Sequence, residues 1–346
     1  LKLLCFVIVF SVLLSCGKKA EKASVSENLK IAVSDSLAIE IEAKEICAND
    51  THFFASETYD SQISCFDYQG NKMFSVGAKG SGPGEFTQLP FATTLIGNYI
   101  VSADIPAFKI EIFNKSGEYY KSINYQEQRL APIHHMFELN EQLYIEAFFF
   151  NMKEPLAISH KLVKIDIDNE TIQEESVTKI RELASFEDVF KKMNPFELEQ
   201  KYYSLEPDIA KIINLDLLRI YSGNDSTDIS LASIPLEKVT KEIIDYLNES
   251  ISMPEIKLQF PEYLPKINNL FHFDGKLLLL SEKQKFDNQF HSTINRIYCY
   301  AEDRKEFVSI EFPTFIPVHK IAHINKNRIF VLEEEKVKIY ECKFES

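Results

Sequence analysis

Tyr99-Ile100-Val101-Ser102-Ala103-Asp104 leads, through a three-residue loop, into Phe108-Lys109-Ile110-Glu111-Ile112-Phe113 and then Asn114-Lys115-Ser116-Gly117. Apolar and polar residues alternate with period two from Phe108 to Phe113, as in a β-strand with two distinct faces. The Asn-Lys-Ser-Gly stretch reads as a turn. The same pair of runs recurs along the chain. Phe53–Glu57 precedes Ile63–Phe66, and Leu143–Phe148 precedes Leu162–Ile167. Leu217–Tyr221 precedes Asp228–Leu231, Leu277–Ser281 precedes Ile294–Tyr300, and Ile329–Glu333 precedes Val337–Tyr340.

Six pairs result. Their first runs end at Glu57, Asp104, Phe148, Tyr221, Ser281 and Glu333, at intervals of 47, 44, 73, 60 and 52 residues. Repeats of roughly 40–50 residues with four strands each are the signature of propeller blades. Sheets stacked radially bury both faces and leave only short, protected edges. The expected fold is therefore all-β: a six-bladed β-propeller over residues 31–346, with a small helical insertion. The 73-residue interval fits a helical insertion over about 180–215. There Ser185–Asp188 reads as a capping box, and Asn194-Pro195 as an N-cap followed by proline at the first helical position. A further helix is expected over about 235–248. Only 13 residues follow Glu333, so the last blade lacks an outer strand. The alternating Leu37-Ala38-Ile39-Glu40-Ile41 is expected to fill that place against Val337–Tyr340 and close the ring.

The N-terminal residues address location. Lys2 is followed by an apolar run from Leu3 to Leu14, then Ser15-Cys16-Gly17. The run is shorter than the ~20 residues a membrane-spanning helix needs, and its layout is that of a secretory signal. The Leu-x-Ser-Cys ending resembles the lipobox of bacterial lipoproteins, which implies a signal peptide over 1–15 and lipidation at Cys16. Residues 16–30 then form a flexible, polar tether to the membrane. Lys18 and Lys19 follow the cysteine, and the first acid is Glu21. Surface export in the resembling group is linked to an acidic run at that point, so the expected location is the envelope, on the periplasmic side of the outer membrane.

Composition bounds the partners. The chain of 346 residues has a formal charge of −14, 45% hydrophobic residues, 27 Phe and no Trp. It carries no basic cluster of the kind nucleic acid demands. Beyond Cys5 and Cys16, Cys47, Cys65, Cys299 and Cys342 are widely spaced. That spacing argues against zinc and favours small buried hydrophobes over disulfides.

Gly77-Ala78-Lys79-Gly80-Ser81-Gly82-Pro83-Gly84-Glu85-Phe86, with Leu89-Pro90, resembles the segment linking blades in NHL-type repeats. Phe260–Pro265 with Asp274-Gly275 resembles the fifth blade of six-bladed propeller lipoproteins common in Bacteroidetes. The resemblance implies architecture more than chemistry. The glycine segment is not a phosphate loop, because its lysine precedes the later glycines and it opens no helix.

Propellers bind ligands where loops converge on the central channel. Glu57, Asp104, Glu282 and Glu333 follow second strands and are expected on one face of the ring, where carboxylates could hold Ca²⁺, a basic peptide or a sugar. His134, His135 and His272 precede the expected inner strands and are candidates for the channel itself. No H-E-x-x-H or G-x-S-x-G pattern is present. The leading reading is a non-enzymatic binding or scaffold protein whose partner is an envelope protein, a peptide or a glycan. The alternative is a Ca-dependent lactonase- or lyase-like propeller enzyme.

Overall fold

The computed structural model describes residues 30–128, 130–139, 142–151, 156–182, 202–205, 208–214, 216–222, 225–236, 241, 267, 269–287, 290–313, 316 and 320–345. They form six four-stranded antiparallel sheets. Blade one is β2 (Ala43–Ala48), β3 (His52–Glu57), β4 (Ile63–Asp67) and β5 (Lys72–Val76). Blade two is β6 (Phe91–Ile96), β7 (Tyr99–Asp104), β8 (Lys109–Asn114) and β9 (Tyr119–Asn124). Blade three is β10 (Leu130–Leu139), β11 (Gln142–Asn151), β12 (Ala157–Asp166) and β13 (Thr171–Glu182). Blade four is β14 (Tyr202–Ser204), β15 (Ile209–Asn214), β16 (Leu217–Ser222) and β17 (Asp225–Ser230). Blade five is β18 (Asn269–Phe273), β19 (Lys276–Asp287), β20 (Phe290–Ala301) and β21 (Glu306–Ser309). Blade six is β22 (Ile321–Asn325), β23 (Arg328–Glu333) and β24 (Lys336–Glu345), completed by β1 (Lys30–Glu40) from the other end of the chain. The inner strands β2, β6, β10, β14, β18 and β22 touch their neighbours all the way round, which closes the ring.

Period-two alternation stacks the blades. On β8, Ile110 and Ile112 join a buried cluster with blade three, while Phe113 joins one with blade one that includes Phe54, Cys65 and Phe86. Each face of the sheet thus meets a different neighbour. The glycine-rich segment between β5 and β6 is held by Phe86, which is fully buried and lies 6.2 Å from the Phe113 ring. Gly77 has φ +82 and faces the Phe86 ring so closely that a Cβ would lie 2.6 Å from it; only glycine fits there.

Residues 180–182 belong to β13 and residues 202–214 carry β14 and β15. The helical insertion expected over 180–215 is thus contradicted at both ends by strands, and the rest of that range, 183–201, lies outside the described residues. Most of the helix expected over 235–248 lies outside them as well. Leu217–Tyr221 is the third strand of blade four, not the second; the second is β15. Cys47, Cys65, Cys299 and Cys342 are free and buried. Cys47 and Cys65 flank Phe54 on either side in the sheet register. Two strand spacings, about 9.5 Å, separate them, beyond the ~7 Å reach of a disulfide.

The expected clasp is present. β1 pairs with β24 from Lys30↔Glu345 to Glu40↔Lys336, with Leu37 opposite Ile339 and Ile39 opposite Val337. A bulge at Ser34 lies between the pairs Val33↔Cys342 and Asp35↔Glu341. One extra residue turns every side chain before it to the other face. Ile31 and Val33 accordingly pack into the blade five–six cluster, and Leu37 and Ile39 into the blade six–one cluster. One strand seals both sides of the last blade. Around that second cluster Phe53 stacks on Phe66 at 5.1 Å and meets Phe330 at 5.5 Å, while the Arg328 guanidinium sits 3.9 Å from the Tyr68 ring centre. Deleting Ser34 should remove the bulge and turn Ile31 and Val33 away from blade five. At about 1.5–3 kcal/mol per buried aliphatic side chain, the expected loss is about 3–5 kcal/mol in urea unfolding. Ser34→Ala, which keeps the residue count, should lose less than about 1 kcal/mol.

Candidate functional site

The six inner strands enclose a central channel of about 800 Å³. Its upper mouth is the face on which the inner strands begin, with Lys44 and Lys320 beside it. Its lower mouth is formed by the hairpins joining inner to second strands. There Lys326 pairs with Asp50 at 2.6 Å, and its carbonyl accepts the Asp274 N–H at 3.0 Å. Blades five, six and one are thereby tied together at the rim.

Between the mouths the wall carries Glu45 on β2, His135 on β10, His272 on β18, and His323 and Asn325 on β22. Glu45 Oε2 accepts the Thr93 N–H at 3.0 Å, linking blade one to blade two. Burial among protein atoms raises the Glu45 carboxyl, outweighing the Thr93 and Ala92 amides and the Lys44 charge. Burial lowers His135 against the pull of Glu146, and lowers His323 to about 4. Each shift favours the uncharged form. Asn325 is 9% exposed, and its Oδ1 has no hydrogen-bond partner in the protein.

Among the described side chains, Glu57, Asp104 and Glu333, singled out from the sequence, do not line this channel. Glu57 ends β3 and turns into its own hairpin, bonded to Ser64 and, at 3.0 Å, to Gln62, with Lys72 at 3.2 Å. Partial burial works to raise its carboxyl, but those three partners outweigh it and hold it low. Glu333 ends β23 and pairs with Lys338 at 2.7 Å, which keeps its carboxyl low. Asp104 is fully buried and accepts Thr87 N–H at 2.8 Å and Thr87 Oγ1–H at 2.6 Å. Glu282 is not at a strand end: it lies within β19, opposite Asn295. Among the described residues, no three of His, Cys, Asp and Glu stand together in a way that could hold a metal. His135 and His272 do line the channel. His134 belongs to β10, and its side chain lies outside the described ones.

Asp104 is part of a buried network invisible in the sequence. The Lys109 ammonium lies 2.5 Å from Glu111 Oε1 and 3.9 Å from Asp104 Oδ2, and donates to the carbonyls of Gly82 at 3.0 Å and Glu85 at 2.8 Å. Glu111 Oε2 accepts from Ser122 Oγ at 2.5 Å and from Gly84 N–H at 3.2 Å. The network fastens the glycine-rich segment to blade two. A second buried pair joins blades three and four: His160 Nε2 lies 2.8 Å from Glu146 Oε1, and Glu146 Oε2 accepts Tyr202 N–H at 3.2 Å. Glu45 and Asn325 were missed because their only sequence signal is position on an inner strand.

Two outcomes are expected. Lys109→Met leaves two fully buried carboxylates without their cation and should cost about 3–5 kcal/mol, read by denaturant unfolding. The second concerns pH. His323 titrates near 4 in the folded protein and near 6.5 unfolded. Between those values only the unfolded chain takes up the proton, so stability falls as pH drops from 6.5 toward 4. His135 acts in the same sense; Glu45, whose carboxyl is raised, acts oppositely as pH rises above the usual carboxylate range. The His323→Leu variant should lose less stability than wild type between pH 7 and pH 5, by on the order of 1–2 kcal/mol, read from urea midpoints.

Known proteins share this architecture. A Bacteroides fragilis protein named for its presumed export superposes with TM-score 0.55 at 12% identity, over 92% of this chain and 96% of its own. A DUF4221-family member from Bacteroides vulgatus does so with TM-score 0.53 at 11% identity, over 92% and 99%. No curated protein sequence matches the chain. The sequence profile of DUF5128, described as a 6-bladed beta-propeller, matches residues 23–258. A ring of six four-stranded blades around an open channel is what that description requires, and the chain belongs to this family of six-bladed propellers.

Proposed function

We propose that this propeller is a binding or scaffold protein of the bacterial envelope, held by a lipid on Cys16 to the periplasmic face of the outer membrane, with the central channel as its ligand seat. The observation that carries the reading is the channel: six blades contribute to one cavity of about 800 Å³, within the ~300–1,000 Å³ range of small-molecule sites. The acids at the hairpins are engaged within their own blades, which moves the binding reading inward from the rim to the inner strands. The anchor rests on the Leu13-Leu14-Ser15-Cys16 sequence. The shared fold of the Bacteroides fragilis protein, named for export, is consistent with an envelope location.

The two parts are tested separately. Metabolic labelling with a palmitate analogue should mark the wild type and spare Cys16→Ser; equal labelling of both would overturn the anchor. Thr94 lines the channel, and Thr94→Tyr should fill part of it. A partner retained from envelope extract by immobilised wild type should be lost from Thr94→Tyr at unchanged melting temperature. Equal capture by both would remove the channel as the seat.

A further inference from the structure

We propose that the channel takes a short extended peptide, which adds as a strand antiparallel to β18 with its C-terminal carboxylate at the upper mouth; the inference rests on the channel being the binding seat. Each inner strand bonds to its own sheet on one side only, so its other edge faces the axis. Blades five, six and one accordingly contribute the unbroken runs 269–272, 320–326 and 44–47 to the wall. Side chains alternate along a strand, so an unbroken run includes the backbone edge itself. On β18 the phase of that edge can be read. Its two-residue hairpin, Asp274-Gly275, has both residues at positive φ and closes on the pair Phe273↔Lys276. Such a closing pair exchanges its hydrogen bonds, and the bonding then alternates along the ladder. Phe271 and Asn269 therefore bond to β19, while Leu270 and His272 turn their N–H and C=O toward the axis. The Leu270 N–H agrees: it donates to Asn269 Oδ1 at 2.9 Å and not across the ladder. The register of β18 has no shift. A regular edge of this kind is matched, residue on residue, by an added strand.

The bore has the cross-section of one strand. The inner strands of blades five, six and one have 5, 5 and 6 residues, roughly 17–20 Å at the rise of a strand. A cavity of about 800 Å³ over that length averages roughly 40–48 Å² across. A strand within stacked sheets takes ~4.8 Å by ~10 Å, about 48 Å². One extended chain with small side chains fits. Charge sets its direction. Lys44 and Lys320 stand at the upper mouth, and neither forms an ion pair among the described residues. At the lower mouth Lys326 is paired with Asp50, which leaves the Asp274 carboxylate. Glu45, on the wall between, is held by the Thr93 N–H. Inner strands begin at the upper mouth, so a peptide antiparallel to β18 runs upward. Its carboxylate then meets the two lysines and, at about five residues, its N-terminal ammonium comes level with Asp274.

Calorimetric titration of the full chain tests this. Backbone pairing tolerates sequence, so the probe is the small-side-chain pentapeptide Ala-Thr-Ala-Thr-Ala. It is compared with its C-terminal amide, with a form N-methylated at every internal amide, and with maltotriose. The free pentapeptide should bind, its amide should bind at least threefold more weakly, as the loss of partly exposed ion pairs predicts, and the N-methylated form should not bind. These comparisons are made within the wild type and depend on no variant folding. In Lys44→Gln with Lys320→Gln the acid and the amide should bind alike, at the affinity the wild type shows for the amide. Thr94→Tyr should abolish binding. Equal binding of acid and amide by the wild type, or of the N-methylated form, would overturn the inference, as would failure of the pentapeptide to bind at millimolar concentration. Maltotriose bound in place of the peptide, and lost in Thr94→Tyr, would overturn the peptide and leave the channel as the seat. A peptide bound equally by wild type and Thr94→Tyr would overturn this inference and the channel reading together.

Discussion

Every blade of this ring has two apolar faces, and each face needs a neighbour. That constraint governs the rest. Five seams can be made by consecutive stretches of chain, because one blade follows the next. The sixth cannot: the first and last blades are remote in sequence and must be joined without a peptide connection. The protein meets the requirement by sending its first strand to the far side of its last blade, so that β1 completes the sheet of β22, β23 and β24. A local irregularity makes this one strand sufficient. With Ser34 as an extra residue, Ile31 faces blade five and Ile39 faces blade one. An even strand would have placed both on the same side.

Much of the fold was legible in the sequence because interior strands of a blade have few choices. Phe53–Glu57, Tyr99–Asp104 and Ile329–Glu333 were read as strands from apolar content alone, and they lie in β3, β7 and β23. The clasp was legible for the same reason. The bulge was not. Ile31, Val33, Leu37 and Ile39 all fall at odd positions, so simple alternation assigns them one face. Blade four was misread where alternation fails. Ile212 and Ile213 are adjacent on β15, and Ile213 is 40% exposed. The helical insertion expected over 180–215 covered this strand, and that shifted the strand assignment by one.

The candidate site was less legible, for a different reason. A carboxylate at the end of a strand has the same sequence signature whether it faces a channel or its own hairpin. Glu333 is claimed by Lys338 and Asp104 by Thr87, and only the strand register brings those partners together. The sequence therefore located the ends of β3, β7 and β23, though not of the second strands of blades four and five, while overstating the freedom of the acids there. Residues that line the channel, such as Glu45 and Asn325, sit on short inner strands and carry no motif. Polar chemistry inside this ring divides into two kinds. Lys109, Glu111 and Asp104 are engaged by one another, by Thr87 and Ser122 and by the glycine-rich segment, and serve the frame. The channel wall instead sets Glu45, three histidines and Asn325 around a cavity.

The clasp also determines how the molecule bears load. Residues 1–29 lead in sequence into Lys30, the first residue of β1. A pull on Lys30 is therefore delivered first to the strand that closes the circle and to Glu311, whose carbonyl accepts the Ile31 N–H at 3.0 Å. Along the strand axis the force runs in shear, and the ladder from Lys30↔Glu345 to Glu40↔Lys336 resists as a set. Across the axis the same pairs open one at a time, beginning at Lys30↔Glu345. Resistance to traction thus depends on the angle at which the leader departs, and the seam that completes the ring is also its mechanical fuse.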